Sequence, residues 1–215
     1  DSHSKATVIV MNDPDQHYWT SNPDAPSAPR QVELLLPDVH LSLTTDRGVF
    51  SADQVDRGTR FLLLEGPPPL ASAQNLLDVG CGYGPIACSL AVRHPQAHVW
   101  AVDTNQRALA LCRTNAEKAG LTNVTACLPE EVPEEIVFDA FWSNPPIRIG
   151  KPALHDLLLH WLHRLSSTGD AHLVVQRHLG ADSLARWLDD QGWLTVRRNS
   201  RKGFRLLDVE RKVSS

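Results

Sequence analysis

The sequence predicts an α/β protein: a doubly wound, seven-stranded sheet with an antiparallel last strand, preceded by a β-rich N-terminal arm. Three observations predict it. From residue 75 onward, short apolar runs alternate with stretches of helical periodicity across short links, the pattern of βαβ units with helices on both faces of a parallel sheet. The last two strands have only residues 199–203 between them, too few for a crossover, so they form an antiparallel hairpin at the sheet edge. The first seventy residues lack this rhythm and carry Pro14, Pro23, Pro26 and Pro29.

Taken in order, residues 12–30 read as an extended arm that follows the surface. Residues 31–36 and 39–44 are β-rich runs split by Pro37-Asp38, hence a hairpin-like pair. Asp56 is placed as the N-cap of a short helix whose apolar part is 61–64. Residues 65–70, with three consecutive prolines, form a stiff linker that divides an arm over 1–69 from a main domain over 70–215. In that domain strands are expected at 75–79, 98–103, 123–128, 138–143, 172–176, 193–198 and 204–210. Helices are expected at 84–93, 105–118, 153–165 and 181–190. Pro85 sits in the first turn of its helix, where a missing N–H costs nothing, and Gly120 closes the next helix.

Composition excludes several classes. Hydrophobic residues at 42% and charged residues at 21% lie near globular averages and argue against wholesale disorder. No apolar run approaches the roughly 18 residues of a membrane span, and no charged-then-apolar leader points to secretion. Cys81, Cys88, Cys112 and Cys127 are too few and too scattered for a disulfide framework and include no C-x-x-C pair, so no metal site is expected and a reduced cytoplasmic compartment fits best. His155, His160 and His163 read as solvated or half-buried helix histidines. The net charge of −4 hides an asymmetry: residues 196–212 carry seven basic side chains against Asp208 and Glu210. That strip is either a solvated edge strand blunted by charge or a phosphate-facing surface; on charge alone the edge explanation is preferred.

Residues 76–85 read Leu-Leu-Asp-Val-Gly-Cys-Gly-Tyr-Gly-Pro, a strand end opening into a helix. Gly80, Gly82 and Gly84 let the chain turn tightly, so a ligand can approach backbone N–H groups near a helix N-terminus. A dinucleotide fingerprint would place its third glycine at Pro85, which points instead to a ligand without pyrophosphate. Asp78 leads the loop, and Asp103 ends the second strand, where a carboxylate can accept both hydroxyls of a ribose. The competing explanation is that both acids only cap turns.

After the fourth strand comes Ser143-Asn-Pro-Pro-Ile147, at the carboxyl edge where doubly wound sheets bind ligands. Two prolines fix the backbone, so the Asn144 side-chain oxygen and the Pro145 carbonyl can both point into a cleft and accept from a planar exocyclic NH2. Accepting both protons frees the nitrogen lone pair for in-line attack on an electrophile; positioning rather than a strong base carries the rate.

The glycine loop with its two acids resembles the class I S-adenosylmethionine-dependent methyltransferases. The resemblance implies a Rossmann-like seven-stranded sheet and S-adenosyl-L-methionine as cofactor. By it, Gly80, Gly82 and Gly84, with Cys81 and Tyr83 between them, face the methionine moiety. Asp78 orients the loop or the amino group through water, Asp103 holds the ribose, and Thr104 and Asn105 flank the adenine. Where the family often has an adenine-binding Asp after the third strand, this chain has Cys127-Leu-Pro-Glu-Glu131, so the backbone of Leu128 or Glu130 is the stand-in.

The Asn144-Pro145-Pro146-Ile147 run resembles the Asn/Asp-Pro-Pro-aromatic motif of amino-group methyltransferases, with Ile147 in the aromatic position. Together with Arg148 to Lys151, Arg47-Gly-Val-Phe-Ser51, Asp56-Arg-Gly-Thr59 and His17-Tyr18, it is similar to the rRNA guanine-N2 methyltransferases of the small subunit. The implied partner is ribosomal RNA or the small ribosomal subunit, with no membrane partner. Phe50 and Thr59 would lie near the methionine end, Arg148 and Lys151 at the mouth beside Asn144, and Arg201 and Lys202 on the RNA-facing strip. Two other function classes stay open: an amino methyltransferase of a protein glutamine amide or small amine, and a non-catalytic S-adenosylmethionine-binding module.

Overall fold

The structure, a computed structural model, describes residues 26–49, 51 and 53–212. A two-stranded antiparallel sheet comes first, β1 (Arg30–Leu35) and β2 (His40–Thr45), followed by helix α1 (Arg57–Glu65). Then β3 (Asn75–Val79), α2 (Pro85–Arg93), β4 (His98–Val102), α3 (Gln106–Lys118), β5 (Val124–Cys127) and β6 (Phe138–Ser143) alternate as expected. The chain continues through α4 (Lys151–His163), β7 (Leu165–Gln176), α5 (Ala181–Asp190), β8 (Trp193–Arg201) and β9 (Phe204–Arg211). The main sheet has seven strands in the order β5-β4-β3-β6-β7-β9-β8. All neighbours are parallel up to β7; β9 then inserts antiparallel between β7 and β8.

Period-two alternation along the strands separates two cores. Leu76, Val99, Ala101, Ala140 and Trp142 face α1, α2, α3 and the β1–β2 hairpin. Leu77, Val79, Val102, Phe141 and Leu173 face α4 and α5. Asn115 ties the hairpin to the first layer: from α3 its amide accepts from the Thr44 N–H (2.7 Å) and donates to the Thr44 and Tyr83 carbonyls (2.8 Å each).

Helix α1 starts at Arg57 as the expected Asp56 cap requires, with Asp56 accepting from the Thr59 N–H at 3.0 Å and Gly58 and Thr59 buried. Several boundaries differ from expectation, each for a local reason. Helix α4 starts two residues earlier than expected, with Pro152 in its first turn, and ends at His163. Strand β7 then begins at Leu165, because that residue pairs with Phe138 before a register shift. Ala119, not Gly120, is the cap of α3; Gly120 follows it with φ +69°.

Candidate active site

Two loops meet at the carboxyl edge of the sheet, on either side of the β3–β6 pair. The first joins β3 to α2. Its shape depends on Gly84, which has φ +93° and approaches α3 so closely that a Cβ would fall 2.6 Å from the Cys112 sulfur. Gly84 is thus a packing glycine, while Gly80, Cys81, Gly82 and Tyr83 line a cavity of about 620 Å³. Asp78 lies beneath the loop, fully buried, with one oxygen accepting from the Ala87 N–H (2.9 Å) and the other without a partner among the described residues. Burial pushes its pKa up to about 8; the Ala87 N–H opposes the rise and the Asp103 charge adds to it.

Asp103 follows β4 and borders the same cavity. It accepts from the Gly82 N–H and the Asn105 N–H, both at 2.9 Å, and so ties the glycine loop to the start of α3. Burial holds its carboxyl above the usual range against those hydrogen bonds. A carboxylate offers about four lone-pair positions, so capacity remains for a diol. Thr104 and Asn105 also border the cavity. Leu128 does not: its N–H donates to Glu131 (2.8 Å), and Pro129 stands at the wall instead.

The second loop follows β6. Ser143 donates to the Val79 carbonyl (2.7 Å), locking the two strand ends together. The Asn144 side-chain nitrogen donates to Asp56 (2.8 Å) and to the Thr59 hydroxyl (3.1 Å). A carboxylate can only accept, so this contact fixes which end of the amide is nitrogen and leaves Oδ1 as the free acceptor at the cavity wall. The Pro145 carbonyl differs from expectation: Ile147 donates to it at 2.8 Å across an inverse γ-turn at Pro146 (φ −74°, ψ 77°), so only its second lone pair is open. Pro145, Pro146, Ile147 and Arg148 line the cavity; Lys151 opens α4 outside it.

Thr59 stands at the cavity wall beside Asn144, whereas Phe50 and His17-Tyr18 fall outside the described residues. Asp56 is the residue that sequence reasoning left out of the site; its capping signature was visible, its reach to Asn144 was not. The basic strip is largely neutralised within the chain. Arg197 and Arg205 both meet Asp182 (2.8 Å), Arg198 meets Asp208 (2.6 Å) and Arg201 meets Glu65 (3.6 Å). Only Lys202 of the pair Arg201–Lys202 has no such partner among the described residues.

The cavity fits S-adenosylmethionine. Its volume is in the ordinary range for a small-molecule site, a Cβ at Gly80 would project into it toward Pro146 (3.9 Å), and the Asp103 carboxylate borders it. This sheet order, with a glycine loop after its central strand and an acid ending the next, defines the class I S-adenosylmethionine-dependent methyltransferases. The chain belongs to the methyltransferase small domain family, which it matches over residues 40–206.

Relatives include the uncharacterized protein YbxB of Bacillus subtilis, 34% identical over 81% of this chain and 88% of that protein. The ribosomal RNA small subunit methyltransferase C of Shewanella amazonensis is 30% identical over 86% of this chain and 52% of its own length. Among solved structures, a T. thermophilus 16S rRNA N2 methyltransferase in complex with AdoMet and guanosine superposes with a TM-score of 0.71 at 22% identity. That match covers 87% of this chain and 52% of the other. The chain thus spans about half the length of its rRNA methyltransferase relatives.

Proposed function

We propose that this methyltransferase acts on an exocyclic amino group, and that the group is N2 of guanine in small-subunit ribosomal RNA. The observation that carries the reading is the Asn144 amide, held by Asp56 and Thr59 so that its oxygen is the acceptor left at the cavity wall. An amine that donates to this oxygen and to the open lone pair of Pro145 is held with its nitrogen lone pair directed along one line. Ile147 packs on one face of the purine, and Arg148 stands at the mouth for a phosphate. When bound, S-adenosylmethionine supplies a methyl group made electrophilic by its sulfonium. Asp103 would hold its ribose and the 80–83 backbone its methionine end, while Thr104, Asn105 and Pro129 border the base. The nitrogen becomes acidic only once methylated, so no strong base is needed beside it. The names of the rRNA methyltransferase relatives support guanine N2 and ribosomal RNA.

The test is transfer of a labelled methyl group to total RNA and total protein from cells lacking the enzyme, followed by nucleoside analysis. Label in N2-methylguanosine of the small-subunit RNA is expected. Label confined to protein glutamine would replace this reading with a protein amide substrate.

A further inference from the structure

A second hollow of about 400 Å³ opens beside the first, and Ser51, Asp56 and Gln176 line both. Its other walls are Gln54, Arg57 from the first turn of α1, His178 from the turn after β7, and Lys202-Gly203-Phe204 from the β8–β9 turn. The charge here is unlike the rest of the hairpin. Arg197, Arg198, Arg201 and Arg205 all have acidic partners, but Arg57, His178 and Lys202 have no hydrogen-bonded or ionic partner among the described residues. Asp56 is the one acid among the lining residues, and its carboxylate is already shared by the Thr59 N–H and the Asn144 amide.

Two local features set the hollow apart from ordinary surface. Lys202 and Gly203 connect the strands with φ of +48° and +87°. A turn of that kind favours Asn or Asp before the glycine, so a lysine there sacrifices turn stability for a cation at the tip. Phe204 is half-buried, and its ring is pressed so close to Gly58 that a Cβ there would fall 2.8 Å from the ring edge. A fixed ring flanked by unpaired cations suits a base stacked above a phosphate.

We infer that this hollow is the subsite for the nucleotide adjoining the methylated one: Lys202 and Arg57 hold the connecting phosphate, His178 adds a donor, and Phe204 packs under the neighbouring base. The inference rests on the RNA reading above and adds to it where the strand leaves the active site. The main cavity alone would take a free nucleoside; the second hollow makes the enzyme prefer a polynucleotide.

The experiment is calorimetry on the full chain with S-adenosylhomocysteine present, comparing guanosine with a guanosine-centred RNA trinucleotide. Wild type binds the trinucleotide more tightly, on the order of tenfold. Lys202→Ala, at an exposed tip, removes most of that difference and Lys202→Arg retains it; Phe204→Leu reduces it without the charge change. Equal affinity of wild type for both compounds, or an undiminished difference in Lys202→Ala, overturns the subsite. Methyl transfer to both compounds is read in parallel. A binding difference without transfer to either refutes the guanine reading and leaves the subsite standing, while transfer without a binding difference does the reverse.

Discussion

The Asn144 amide is oriented by the carboxylate that holds it. Its amide could face the cavity with either end, and Asp56 decides which. Because Asp56 also caps α1, its two roles need separating. Asp56→Ser keeps a capping hydroxyl, so stability falls by less than the roughly 1 kcal/mol of a lost cap, but serine is too short to reach Asn144. Turnover is expected to drop by about tenfold or more while cofactor affinity is retained; turnover equal to wild type would show that the amide is oriented by something else. Asp78 carries a pH signature. Its folded pKa is raised by burial to about 8 from a reference of 3.8. The folded chain therefore binds this proton more tightly than the unfolded one. The resulting stabilisation is fully present below about pH 4 and is lost as pH rises through about 8. Urea midpoints of the cofactor-free protein should fall across that window, and Asp78→Asn should flatten the fall; identical slopes in the two proteins would mean Asp78 is ionised at neutral pH.

At the scale of elements, the site is assembled by tethers between segments far apart in the chain. Asn115 is the clearest: it joins the hairpin, α3 and the glycine loop from a fully buried position. Asn115→Ala strands the Thr44 N–H and two carbonyls, at about 1–3 kcal/mol for each group left unsatisfied. A markedly lower urea midpoint together with weaker S-adenosylmethionine binding is expected, since Tyr83 loses its anchor. An unchanged midpoint would mean that water takes over all three bonds. Such tethers mark the limit of what the sequence makes legible. The glycine loop, Asp103 and Asn144 could be read because their chemistry is local: each sits at a strand end whose apolar run declares it. The pairs Asn115–Thr44 and Asn144–Asp56, separated by 71 and 88 residues, leave no periodic trace, and Asn115 looks like any polar helix residue. Strand β7 is longer than expected because Leu165 pairs with Phe138 ahead of a stretch of loop composition, Ser166 to Gly169, that falls in the register shift before Asp170 pairs with Ala140.

For the whole molecule, the placement of charge matters more than its sum. The chain is net negative, yet among the described residues the cations without partners include Arg57, Arg148, Lys151, Arg177 and Lys202 in the turns and first helical turns at strand ends, with Arg47 beside the first turn of α3 and Arg186 on α5. RNA affinity should therefore fall with salt, with a log–log slope near −0.7 per phosphate contacted on single strands. Neutralising Arg148 and Lys151 should flatten that slope, whereas neutralising Arg197 and Arg205, already held by Asp182, should leave it unchanged. The reverse ranking would return RNA contact to the outer strip. Among the described residues no helix is long and apolar enough to cross a membrane. Charge and cavity converge on Asn144, and single-turnover methyl transfer by Asn144→Ala tests the account most directly. Loss of an acceptor in a preorganised site predicts a rate lower by about 10²–10³, with S-adenosylmethionine affinity within about tenfold of wild type because the glycine loop and Asp103 are untouched. Transfer at the wild-type rate would contradict the mechanism and the exocyclic amine with it.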